Sequence, residues 1–99
     1  PDADSKDVNR ALDLANEVLG LLPGNKDALS TRAEIYVRLE RWEDARADLQ
    51  NALKQDAKDT KIHELLAIVF DALNESGVAE QHRQIMTRLK SEQADGVSD

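Results

Sequence analysis

Residues 26–59 read KDALSTRAEIYVRLERWEDARADLQNALKQDAKD, and residues 60–93 read TKIHELLAIVFDALNESGVAEQHRQIMTRLKSEQ. Set one above the other, at an offset of 34, they place Ala33 on Ala67, Tyr36 on Phe70, Leu39 on Leu73 and Ala45 on Ala79. The preceding residues keep the register: Ala11 falls on Ala45, Leu19 on Leu53 and Val8 on Trp42. A period of about 34 residues made of paired helices is the signature of stacked α-hairpins, because a single hairpin cannot cover its own apolar face.

The local signals divide the chain into five helices. The first is expected over about Lys6 to Leu22, with Asp4 or Ser5 as N-cap. In it Val8, Ala11, Leu12, Ala15, Val18, Leu19 and Leu22 recur at spacings of three and four, forming one apolar stripe. Pro23-Gly24 stops it, and Asn25 caps a second helix from Lys26 to Leu39. A break at Glu40 and Arg41 precedes a third helix, Trp42 to Gln55. After the polar turn Asp56–Asp59, capped by Asp59 or Thr60, a fourth runs from Lys61 to Asn74. Glu75-Ser76-Gly77, with Ser76 as cap, leads to a fifth, Val78 to Gln93. Links this short make neighbouring helices antiparallel. No alternating apolar–polar run and no Asn-Gly or Asp-Gly turn supports a strand. The fold class is all-α, built of antiparallel α-hairpin repeats.

Composition narrows the partners. The 99 residues make one small domain with a net charge of −7, which argues against nucleic acid and anionic membranes. Residues 1–7 carry −2 and residues 91–99 carry −3, leaving −2 for those between. The chain therefore divides into an acidic N-terminal segment (1–7), a helical repeat domain (8–90) and an acidic C-terminal tail (91–99), the two ends being read as solvated, floppy tails. One Trp, one Tyr and one Phe offer no stacking platform for bases. The longest apolar run, Leu65 to Phe70, has six residues, against about 20 for a membrane-spanning helix. No cysteine occurs, which removes disulfide and thiolate chemistry and leaves the compartment open. The chain opens at Pro1 without a methionine and so reads as a processed or excised piece.

The segment from Lys26 to Asp59 resembles a tetratricopeptide repeat, whose pattern is W-x₂-L-G-x₂-Y followed by Ala-x₃-Phe and Pro. Leu29 stands in the Trp slot, Ala33 in the Gly slot and Tyr36 in the Tyr slot, and Trp42 opens the second helix. Ala45, Leu49 and Ala52 follow at the family spacing, and Ala57 replaces the Pro. Leu66, Ala67, Phe70 and Ala79 repeat the pattern over 60–93, and Val8, Ala11, Ala15, Val18 and Pro23 match half a repeat over about 6–25. Two residues depart from it. Arg32 fills an apolar slot, where its side chain is expected to snorkel outward along its stem. Arg83 lies where the last helix should be apolar, as suits an exposed terminal helix. The first helix also lacks its hairpin partner, so its apolar side is covered by upstream sequence, by another copy, or not at all, and upstream sequence outside this piece is the expected cover.

The resemblance implies a short right-handed superhelix whose concave groove is lined by the first helix of each repeat. In this chain that stripe is Asp27, Ser30, Thr31, Glu34 and Arg38, then Lys61, Glu64, Leu65, Ile68 and Asp71. Such a surface suits a peptide or protein partner, with Leu65 and Ile68 as an apolar anchor and Arg38 or Lys61 meeting an acid. Nine of the twelve residues from Ile62 to Leu73 are apolar, and a helix apolar nearly all round is usually buried, so the residues leave Leu65 and Ile68 open between groove and core. Chaperone-binding members of the family clamp a terminal carboxylate with Lys, Asn and Arg. Lys61 matches one such Lys, but Leu65 stands where Arg belongs and Glu34 repels a carboxylate. No chaperone-tail clamp is expected.

Catalytic readings are poor. His63 and His82 lie on different helices without H-E-x-x-H spacing, so no metal pair is expected. Asp44 and Asp48 sit one turn apart with Arg41 and Arg46 nearby, which reads as a solvated charged face. Glycines 20, 24, 77 and 96 are scattered and form no phosphate loop. The chain reads as a non-enzymatic interaction module without a cofactor. The alternative is a structural module of a larger protein that acts, or forms a homo-oligomer, through the open first helix.

Overall fold

The computed structural model describes the backbone of residues 2–97 and the side chains of residues 6–94. Its order is α1 (Asp2–Leu21), α2 (Lys26–Arg38), α3 (Trp42–Gln55), α4 (Thr60–Ala72) and α5 (Ser76–Val97). Among the described residues there is no strand, and none of the helices is long and apolar enough to cross a membrane.

The caps are where the local chemistry puts them. Asn25 Oδ1 accepts from the Ala28 N–H at 2.8 Å. Asp59, 34 residues on, accepts from the Lys61 and Ile62 N–H groups at 3.0 and 3.2 Å. The breaks after α2 and α4 are copies of one another. In both, a non-glycine residue turns left-handed, Glu40 with φ 57° and Asn74 with φ 63°. The Arg41 N–H then donates to Tyr36 O, and the Glu75 N–H to Phe70 O, each at 2.8 Å. This is the Schellman closure that satisfies the last carbonyls of a helix. Helix α5 begins at Ser76 rather than two residues later, and the Ala79 N–H donates to Glu75 O, so Glu75 holds the cap position expected of Ser76.

Packing follows the 34-residue register. Helix α2 pairs with α3 and α4 with α5, while α1 packs on α2, α3 on α4, and α2 touches α4. Alanines at the crossings, Ala33, Ala45, Ala52 and Ala79, are fully buried and let the helices approach closely, and Leu49, Ile62, Leu66 and Val69 fill the space between them.

Three expectations are corrected. Residues 2–7 and 91–97 are helical rather than floppy tails, and residues 1, 98 and 99 of those expected tails lie outside the described residues. Arg32 does not snorkel outward. Its Nε and Nη2 donate to both carboxylate oxygens of Asp48 at 2.7 Å, and Nη1 donates to Asn16 Oδ1 at 2.9 Å. Asp48 is accordingly no part of a solvated face: it is 4% exposed. Burying both groups is tolerated because a forked guanidinium satisfies a carboxylate bidentately. Asp44 does lie outside, paired with Arg41 at 2.8 Å.

Candidate partner-binding groove

Helices α2 and α4 each turn one stripe away from the core. On α2, Asp27, Thr31 and Arg38 are exposed and Ser30 and Glu34 half-buried. On α4, Lys61, Glu64 and Asp71 are exposed and Leu65 is half-buried against the core. Ile68 is 44% exposed. Helix α4 is covered by neighbours on the sides that carry Ile62, Leu66 and Val69, which leaves Ile68 outside although the helix is apolar nearly all round.

The stripes meet at one point. Lys61 forms an ion pair with Glu34, and that hydrogen bond, above all, holds the Lys61 ammonium above its ordinary pKa. Other members of the stripe turn elsewhere. Asp71 accepts from Arg83 Nη1 of α5 at 2.7 Å, while Arg83 Nε reaches Glu80 at 2.9 Å. Asp27 and Thr31 line a cleft of about 350 Å³ that opens between α1 and α2, together with Ala11, Leu14, Ala15 and Val18. Arg38 borders a smaller hollow with Asp7, Val8, Ala11 and Ile35.

Two polar clusters escape a reading of spacing alone. One is the Arg32–Asp48 pair, with the guanidinium 5.7 Å from the Tyr36 ring centroid. The other joins the two histidines, whose Nδ1 atoms are 3.0 Å apart. His63 is buried, and its Nε2 is 2.8 Å from Ala57 O. A carbonyl only accepts, so Nε2 carries the proton, and Nδ1 accepts from the Nδ1–H of His82. Phe70 stacks on the His82 ring at 5.6 Å. Burial first, and then the His63 ring, lowers the His82 pKa. The repeat register contains the signal that spacing within one helix lacks, because His82 occupies the place of Asp48 and His63 that of Leu29. Among the described residues no group of three or more His, Cys, Asp or Glu could hold a metal ion.

Comparison with known proteins agrees with this architecture. Among solved structures, the first TPR domain of Spaghetti (RPAP3), bound to the HSP90 peptide SRMEEVD, matches at a TM-score of 0.82 and 20% identity, covering 89% of this chain and 70% of that one. A double mutant of MamA matches at 0.81 and 21% identity, covering 92% of this chain and 51% of that one, so this chain spans about half its length. Likeness at such identities concerns the fold. No curated protein matches. The model of the tetratricopeptide repeat family matches residues 3–69. With the register, the Schellman turns and the hairpin packing already in place, the chain belongs to the tetratricopeptide repeat family.

Proposed function

We propose that the chain is a non-catalytic interaction module that takes a short peptide or a protein segment on the α2–α4 face. The observation that carries this reading is Ile68, an isoleucine left 44% exposed beside half-buried Leu65 and framed by Glu34, Lys61 and Glu64. An apolar side chain of the ligand would bury there, where truncation of a contact costs most. The family's character as a partner-binding scaffold points the same way.

Phage-displayed peptides selected on the whole chain give the test. Selected sequences should carry an apolar anchor, and Ile68→Glu should weaken them about tenfold or more. Circular dichroism should show that variant folded, because the site is open to water. Peptides that bind wild type and Ile68→Glu equally would move the site off this face. A second reading, a self-associating module acting through α1, rests on exposed Leu14, Val18 and Leu21.

A further inference from the structure

The two hairpins are tied by different chemistry. Between α2 and α3 the tie is the ion pair Arg32–Asp48. One repeat later His82 stands in the place of Asp48, His63 in that of Leu29 and Leu66 in that of Arg32. The polar tie between α4 and α5 is therefore a pair of imidazoles, Nδ1 to Nδ1 at 3.0 Å. His63 is buried and His82 belongs to α5, so the pair stands apart from the α2–α4 face.

The hydrogen-bond pattern fixes how many protons the pair can hold. Nε2 of His63 donates to Ala57 O at 2.8 Å, and its Nδ1 accepts from His82, so both nitrogens of that ring are engaged. Nε2 of His82 takes no partner among the described residues, and no buried side-chain nitrogen there is left unpaired, so this atom reaches water. A first added proton enters at that atom. It makes an imidazolium that still donates from Nδ1 to His63, in a half-buried place where burial, above all, holds the His82 pKa below its ordinary value. A second proton has only Nδ1 of His63 to take. Two N–H groups would then point at each other across 3.0 Å, with a positive charge on a ring that is 3% exposed, and the rings must part.

No carboxylate stands by to offset the charge. Asp56 and Asp59, on either side of Ala57, are both engaged by Lys26 of α2, while Lys54 and Lys58 are exposed. Arg83 engages Glu80 of α5 and Asp71 of α4. Glu64 is exposed, and adjacent residues of a helix do not face each other. The one charge that acts on His82 is that of His63.

We propose that His63 and His82 form an acid-sensitive latch, which holds α5 on α4 while the rings are neutral and releases it when both are protonated. The closed hairpin takes up one proton and the open one two, because freed imidazoles titrate near about 6.5. Stability from the latch is complete above about pH 6.5 and is lost as the pH falls below it. The release is local, since α5 packs on α4 alone among the helices and a terminal hairpin of a repeat array can open by itself. The Arg32–Asp48 tie contains no imidazole, so α2 and α3 should stay closed over the same range. The latch goes beyond peptide binding on the α2–α4 face and is independent of it.

Hydrogen exchange of the whole chain between pH 7.5 and pH 5, corrected for intrinsic rates, is the test. Protection of the α5 amides Met86 and Leu89 should fall about tenfold or more, and that of Ala45 and Leu49 on α3 much less. His63→Leu/His82→Leu should abolish the difference. The register itself carries leucine at both places, Leu29 and Leu14, and circular dichroism checks that this variant is folded. Imidazole ¹⁵N spectra of the wild-type chain need no variant. They should show neutral His82 protonated on Nδ1 and His63 on Nε2, with one ring, not both, gaining a proton while α5 stays protected. Equal pH dependence of α5 and α3 overturns the proposal, as does a fall on α5 that persists in the folded double variant. Two added protons on a closed hairpin overturn it as well.

Discussion

Arg32 stands where the repeat asks for leucine, and the structure answers with an aspartate sixteen residues away on the next helix. The Arg32 side chain is 24% exposed and that of Asp48 6%, so each charge depends on the other for its solvation. Asp48→Leu leaves a half-buried guanidinium with Asn16 alone and should cost about 2–3 kcal/mol; Arg32→Leu strands a buried carboxylate and should cost at least as much. The double variant Arg32→Leu/Asp48→Leu should regain wild-type stability or exceed it, because leucine is what the register carries at Leu66 and at Leu14. Urea midpoints of the four proteins, read as a double-mutant cycle, check this, and additive losses would show that the two groups do not act as a pair. The pair was half legible. The pattern reveals an arginine in a core slot, but an inward charge is balanced by a residue on another helix, which helical periodicity does not register.

Element boundaries were legible wherever a local group decides them. Asn25 and Asp59 start α2 and α4 by accepting backbone N–H groups, and Pro23-Gly24 can carry no helix forward. The outer ends of α1 and α5 were read too short, because no breaker stands at residues 2–7, the single glycine of 91–97, Gly96, lies only one residue from the end of α5, and net charge alone does not unwind a helix. The break at Glu40 was visible, whereas the fourth helix was carried through Asn74 and its break set at Glu75-Ser76-Gly77; the left-handed geometry of Glu40 and Asn74 was not legible, since neither residue is glycine. That geometry yields a prediction. Asparagine tolerates a positive φ and glutamate does so poorly, so the two equivalent turns carry unequal strain. Glu40→Gly should raise the unfolding free energy by about 0.5–1 kcal/mol, Asn74→Gly by less. Thermal melts of both variants measure the difference. An equal or negative effect of Glu40→Gly would mean that the Glu40 side chain contributes more than its backbone costs.

At the scale of the whole molecule, the register fixed which helices pair, and it could not say which apolar residues the pairing leaves outside. Ile68 belongs to a helix apolar nearly all round, and only the arrangement of neighbours on α4 exposes it. The same arrangement bears on the ligand proposed for the α2–α4 face. The structural relative from Spaghetti was solved with the peptide SRMEEVD, an acidic segment ending in a carboxylate. In this chain Lys61, the cation that the family resemblance would set against such a carboxylate, is already engaged by Glu34, and Leu65 offers no charge one turn later. An approaching carboxylate would have to displace Glu34 and then lie beside it, so repulsion replaces the clamp. Calorimetric titration of SRMEEVD into the chain at about 100 μM should therefore give no saturable heat. Glu34→Asn/Leu65→Arg frees Lys61 and adds a forked donor in reach of the same carboxylate, so it should gain measurable affinity that falls with salt. Low-micromolar binding by the wild-type chain would place the peptide on cations outside this face. No binding by the double variant would mean that Lys61 and the new guanidinium do not converge, and that the groove's acids, not its lack of a clamp, set its preference.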